Sequence, residues 1–178
     1  QDDSPTLAVT SDGVFHCVFS SNLNIQGSGG EGDLFYTTRS GGAWAPVQLL
    51  LNSQTTDTGA DEQPQLAVDA HGDLHLAWSS SVPGVLGGRI GNDWDILYTP
   101  LTFPLNLPSA AFPVAANTSA YGDAGADAVP GGHVELLIDR EGRANFAWTS
   151  DDSLGGVIGA DNDCLHARVT IPTLVAET

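Results

Sequence analysis

The 178-residue chain has no methionine and no lysine, and only two cysteines, Cys17 and Cys164. Its five basic residues are all arginine and stand against 22 acidic ones, for a formal charge of -17. That acid excess repels phosphate backbones and anionic lipid, so nucleic acid is not an expected partner. No apolar run approaches the roughly 20 residues a membrane helix needs, so no membrane insertion by a helix is expected. CxxC, HExxH and CxxCH patterns are missing, which leaves zinc and haem without support, and there is no GxSxG or phosphate-binding glycine loop. No stretch shows helical periodicity. The lack of methionine at position 1 means that Gln1 was exposed by processing or that the chain is cut from a longer one. Removal of a secretory signal predicts a secreted or periplasmic protein. The two cysteines could then form one disulfide, or remain as two buried thiols.

What is present argues for one folded domain. Apolar residues make up 41% of the chain, too many for a disordered acidic tail. Three segments align without gaps: Leu7 to Phe19, Leu66 to Trp78 and Leu136 to Trp148. Gly13, Gly72 and Gly142 coincide in them, as do Phe19, Trp78 and Trp148. Each segment reads as strand, tight turn, strand, because apolar and polar residues alternate with the period of two that a strand requires. The glycine takes the turn position, where a positive φ costs it little. A third strand follows at Asp33 to Tyr36, Asp95 to Tyr98 and Asp163 to His166. A fourth is expected at Trp44 to Leu51, Phe112 to Ala116 and Val169 to Val175. Four strands per repeat describe an all-β, β-propeller-like array of three blades. We expect a single domain over 1–178, with blade one at 1–56, blade two at 57–122 and blade three at 123–178.

The run Pro64 to Trp78, the Asp95-to-Thr99 strand and the segment Ser40 to Val47 together resemble the sialidase-type, or BNR-like, propeller repeats of secreted bacterial proteins. The resemblance spans nearly the whole chain and implies architecture. The family's Asp-box falls at Ser40 to Trp44, where it is shortened and has lost its aspartate; the other two copies lack it. The family's arginine cluster and tyrosine nucleophile have no matching motif around Arg39, Arg89, Arg140, Arg143 or Arg168, so no catalytic residue is assigned.

Three blades make an arc rather than a ring, since closed propellers have about four to eight. The end blades would then expose apolar faces to a protein partner or a second copy. A carboxylate pair precedes each third strand, at Glu31 and Asp33, Asp93 and Asp95, and Asp161 and Asp163, among glycines. Residues two apart in extended backbone point the same way, so each pair could hold calcium; turn capping by the same aspartates is the competing reading. Trp94 sits between two aspartates, and with Val85, Arg89 and Ile90 it forms the expected contact loop, joined by Leu154 of the third blade. His16 and His75 read as polar-face strand positions, with Asn145 in register. Trp78 and Trp148 are expected in the core between blades. The pattern favours a non-catalytic accessory or structural subunit working by protein–protein interaction. A calcium-dependent, lectin-like carbohydrate-binding module is the alternative, and a sialidase-like glycosidase completed by a partner is a third.

Overall fold

The computed structural model describes residues 2–50, 58–81, 94–101, 112–113, 134–151 and 161–170. Among them there is no helix; every regular element is a strand, and the strands form three antiparallel sheets. The first sheet holds β1 (Asp2–Val9), β2 (Phe15–Ser21), β3 (Asp33–Ser40) and β4 (Ala43–Trp44) in that order, with β5 (Gln48–Leu49) also paired to β3. The middle sheet runs β6 (Asp61–Val68), β7 (Leu74–Ser80), β8 (Asp95–Leu101), β9 (Phe112–Pro113). The last sheet runs β10 (Glu135–Ile138), β11 (Arg143–Ser150), β12 (Asp163–Thr170).

The repeated hairpin closes as its sequence dictates. Gly13, Gly72 and Gly142 all adopt positive φ, at 80, 92 and 72°. Their amides donate to the carbonyls of Thr10, Asp69 and Asp139 at 2.9, 3.2 and 3.0 Å. In the second and third copies one aspartate organises the turn. Asp69 Oδ1 accepts from the amides of His71 (2.8 Å) and Asp73 (2.9 Å), and Asp139 Oδ1 from those of Glu141 (3.0 Å) and Arg143 (3.0 Å). In the first copy Thr10 holds that place, and Asp12 Oδ1 supplies the acceptor for the Val14 amide at 3.2 Å. A further irregularity repeats: the ladders β1–β2 and β6–β7 shift register between Asp3 and Thr6 and between Glu62 and Gln65. Ser4 and Gln63, the residues before Pro5 and Pro64, sit there at φ 47 and 54°.

The outer strands differ from expectation. The first sheet splits its outer strand into two short pieces, both bonded to β3. In the last sheet Val169 and Thr170 continue β12 rather than opening a fourth strand, because their ladder with Ala144 and Arg143 is unbroken. Residues 171–178 lie outside the described residues.

The sheets stack front to back. In the middle sheet, Leu66, Val68, Leu74, Leu76, Trp78, Leu97 and Leu101 share one face and pack on Ala8, Val18, Leu34 and Tyr36 of the first. The other face of the middle sheet offers Ala77, Ile96 and Tyr98 to Ala144, Phe146, Trp148 and Ala167 of the last. Trp78 and Trp148 are each 1% exposed, as expected for residues between sheets. Full burial of each Leu, Ile or Phe contributes about 1.5–3 kcal/mol, so these two layers dominate the stability.

Candidate functional site

Two regions stand out, a polar rim and an open sheet face. At the rim, each second strand ends in a serine: Ser21, Ser80 and Ser150. Each serine pairs across the ladder with the first residue of the third strand, Asp33, Asp95 and Asp163. In the first two sheets it also pairs with the first residue of the sheet, Asp2 and Asp61. The Ser21 hydroxyl donates to Asp2 Oδ1 at 2.7 Å, and the Trp78 indole to Asp61 Oδ1 at 2.9 Å. Asp33, Asp61 and Asp95 are all buried. Burial pushes the Asp33 carboxyl above its ordinary pKa, and the charge of Glu31 adds to the rise. The Ser28 hydroxyl nearby restrains the rise without reaching good hydrogen-bond geometry. The repeated serine–aspartate row was legible in the sequence as Ser-Ser, Ser-Ser and Thr-Ser following Phe19, Trp78 and Trp148, a signal the aromatic register overshadowed.

Between the first and middle sheets the same rim opens into a cleft of about 230 Å³ lined by Asp3, Ser4, Ser20, Asn22, Glu62 and Gln63, among others. Glu62 titrates above the usual carboxylate range because burial, and then the charge of Asp3, disfavour its ionised form. Gln63 Oε1 lies buried there without a hydrogen-bond partner. The lining is mostly polar, with acceptors in excess, and suits a ligand rich in hydroxyl donors.

The residues singled out in the sequence fall in several places. Glu31 bends back to accept from the Gly30 amide at 2.9 Å, which lowers its pKa, while Asp33 is buried beneath it. Asp95 is buried, Asp163 is half-buried, and Asp161 is exposed. Among the described residues, no three His, Cys, Asp or Glu side chains gather as a metal site. Trp94 is half-buried immediately before β8. Val85, Arg89, Ile90, Asp93 and Leu154 lie outside the described residues. Cys17 and Cys164 are both free thiols.

His16 and His75 are not polar-face positions; they are 6% and 2% exposed, inside the stack. Each stacks on a tyrosine of the neighbouring strand and bonds to its hydroxyl. The distances are 2.7 Å from His16 Nδ1 to Tyr36 and 2.9 Å from His75 Nδ1 to Tyr98. Burial lowers the pKa of both histidines, opposed in part by Asp12 and Asp69 respectively. The third copy replaces the pair with Asn145, whose amide donates to Asp139 Oδ2 at 3.3 Å.

The open face belongs to the first sheet. Its register places Leu7 beside Cys17, Val9 beside Phe15, Phe19 beside Phe35, and Arg39 between Phe15 and Trp44. Apart from Trp44, these positions match those of the covered face of the middle sheet. On this face Phe35 is buried and Cys17 and Phe19 are half-buried, whereas toward the turn end Leu7 is 59% exposed, Val9 49%, Phe15 40% and Trp44 51%.

No protein-family model and no curated protein matches the sequence. Among solved structures the chain is similar to a Hadza microbial sialidase, with TM-score 0.55 and 14% identity over 85% of this chain and 32% of that one. It is also similar to an endo-arabinase from Bacteroides thetaiotaomicron, with TM-score 0.58 and 13% identity over 97% of this chain and 57% of the other. A fucose lectin from Kordia zhangzhouensis, solved with methyl-fucoside, aligns with TM-score 0.48 and 12% identity over 94% and 93% of the two chains. The chain spans about a third and just over half the length of the first two. The likeness is one of fold, of the β-propeller type.

Proposed function

We propose that the chain is a non-catalytic β-propeller module of three blades, an accessory or structural subunit that acts by protein–protein contact through the open face of its first sheet. One observation carries this reading: Leu7, Val9 and Phe15 lie exposed, with Trp44 near them, at positions whose counterparts in the other two sheets pack in the core. An exposed apolar patch of this kind, bordered by Arg39, marks a contact surface. The stacked sheets and the likeness to propeller-type enzymes support the architecture. Reactivity of Cys17, on the same face, tests the reading. A maleimide should label Cys17 readily in the isolated monomer and slowly in any complex. Protection of Cys17 in a monodisperse monomer, with labelling restored only on unfolding, would mean that the chain covers its own face, and the reading would fall.

The rim cleft favours a second reading, carbohydrate binding. Two carboxylates, serine hydroxyls and the Gln63 amide offer acceptors to a polyhydroxyl ligand. This reading carries with it the loop calcium proposed from the paired carboxylates. A glycan array scores it, with Glu62→Gln abolishing any signal. EDTA should lower the melting temperature if calcium is bound to the folded chain, and an unchanged value removes calcium from the proposal.

A further inference from the structure

The identity of the partner rests on the protein-contact reading and extends it. Among the described residues there is one type of inter-sheet contact, made twice. The face of the middle sheet bearing Trp78 packs on the first sheet, and the face of the last sheet bearing Trp148 packs on the middle one. Two faces of the series are left over. One is the Phe15 face of the first sheet. The other is the far face of the last sheet, where Ala147 pairs with His166 and Thr149 with Cys164.

The leftover faces hold nearly all the exposed apolar bulk. Of the large hydrophobic side chains exposed among the described residues, Leu7, Val9, Phe15 and Trp44 lie on the first face and Leu137 on the second; only Leu23 lies elsewhere. Leu137 is 66% exposed. By register it stands opposite Asn145, as Ala8 stands opposite His16 and Ala67 opposite His75. The last sheet therefore carries a larger side chain where the two covering faces carry alanine. The first sheet carries the smaller Cys17 where the covered faces carry Leu76 and Phe146. The two departures run in opposite directions in volume, so the two open faces together keep close to the volume of a covered pair. Asn145 already spends its amide on Asp139 and on the Arg143 carbonyl, so covering it strands no donor. Arg39 and Arg168 lie toward the turn end of their strands, where long side chains reach water.

We infer that the open face of the first sheet docks on the open face of the last sheet of a second copy of this chain, continuing across subunits the contact made twice within each. Such an interface is heterologous, with a different patch on each subunit, so it closes into a ring or runs on as a filament. Two copies of three sheets fall within the roughly four to eight blades of closed propellers, so a closed dimer is expected.

Light scattering and thiol cross-linking on the full chain test this together. The wild type should be dimeric. Phe15→Asp and Leu137→Asp should each weaken association at least ~100-fold, since each buries a charge in an apolar contact. Mixed together, the two variants should form a heterodimer through the one intact interface. Mild oxidation should link Cys17 of one copy to Cys164 of the next. Neither Cys17→Ser nor Cys164→Ser should cross-link alone, and their mixture should. Dimers formed by Cys164→Ser alone would show pairing of two first sheets, which overturns the head-to-tail contact while leaving the protein-contact reading intact. A monomer with reactive Cys17 also overturns the second copy as partner and leaves that reading standing. A monomer with protected Cys17 overturns both.

Discussion

Replacing Tyr98 by phenylalanine removes one oxygen atom from the centre of the stack, and its cost can be worked out from the contacts. The Tyr98 ring is 5% exposed and meets Phe146 edge-on at 5.2 Å. Phenylalanine keeps that packing and leaves no cavity large enough to matter. The hydroxyl, however, bonds to His75 Nδ1 at 2.9 Å. His75 is 2% exposed, and its Nε2 has no hydrogen-bond partner, with Asp69 Oδ2 lying beyond bonding range at 3.7 Å. The substitution thus strands a buried imidazole, at about 1–3 kcal/mol for an unsatisfied buried polar group. For a domain this size, each kcal/mol lowers the melting temperature by about 2–4 °C. Tyr36→Phe should cost less, because His16 retains Thr10 Oγ1 at 3.1 Å. Adding His75→Leu to Tyr98→Phe should recover part of the loss, since both polar partners are then gone. Urea unfolding followed by tryptophan fluorescence supplies the free energies of the wild type, of these variants and of His75→Leu alone. A Tyr98→Phe cost below about 0.5 kcal/mol, or strict additivity with His75→Leu, would refute the hydrogen-bond account.

The same histidines set an acid limit on stability. Their folded pKa values are depressed, so below about pH 6.5 the unfolded chain takes up protons that the folded chain refuses. Stability should therefore fall as pH drops from that value toward the depressed pKa values, with a slope approaching about 1.4 kcal/mol per pH unit for each histidine. Denaturation midpoints between pH 7.5 and 5 check this, and a His16→Gln, His75→Gln variant should lose the slope. Phe146→Ala should cost about 3–5 kcal/mol, because a fully buried ring between the middle and last sheets leaves a cavity; calorimetry measures it. Gly72→Ala should cost about 1–2 kcal/mol from its φ of 92° alone, since only Ser11 Oγ, at 4.0 Å, comes near the added methyl. Gly30→Ala, in open space without a positive φ, should change the midpoint by no more than a few tenths of a kcal/mol.

The hairpins, their turn glycines and the burial of Trp78 and Trp148 were all legible in the chain, because a strand's period of two and a turn's positive φ are local demands on sequence. Three copies in register made the stacking of like units legible as well. Exposed end faces were expected from a three-blade arc, but which side of a given strand a neighbour covers was not legible. Alternation says that a strand has two sides and is silent on what covers either one, so Leu7 and Leu66 look alike in sequence although one is exposed and the other is core. His16 and His75 looked polar because their partners, Tyr36 and Tyr98, stand on the next strand, beyond glycine-rich loops that differ in length between the copies. Only the register across that gap brings the tyrosine hydroxyl to the imidazole, and only the neighbouring sheet closes water out. Asp33 follows the same logic, as a loop carboxylate in sequence and a buried one beside Ser21 in space. Local chain chemistry wrote the strands and turns, whereas burial is a property of the neighbour, which tertiary packing alone assigns.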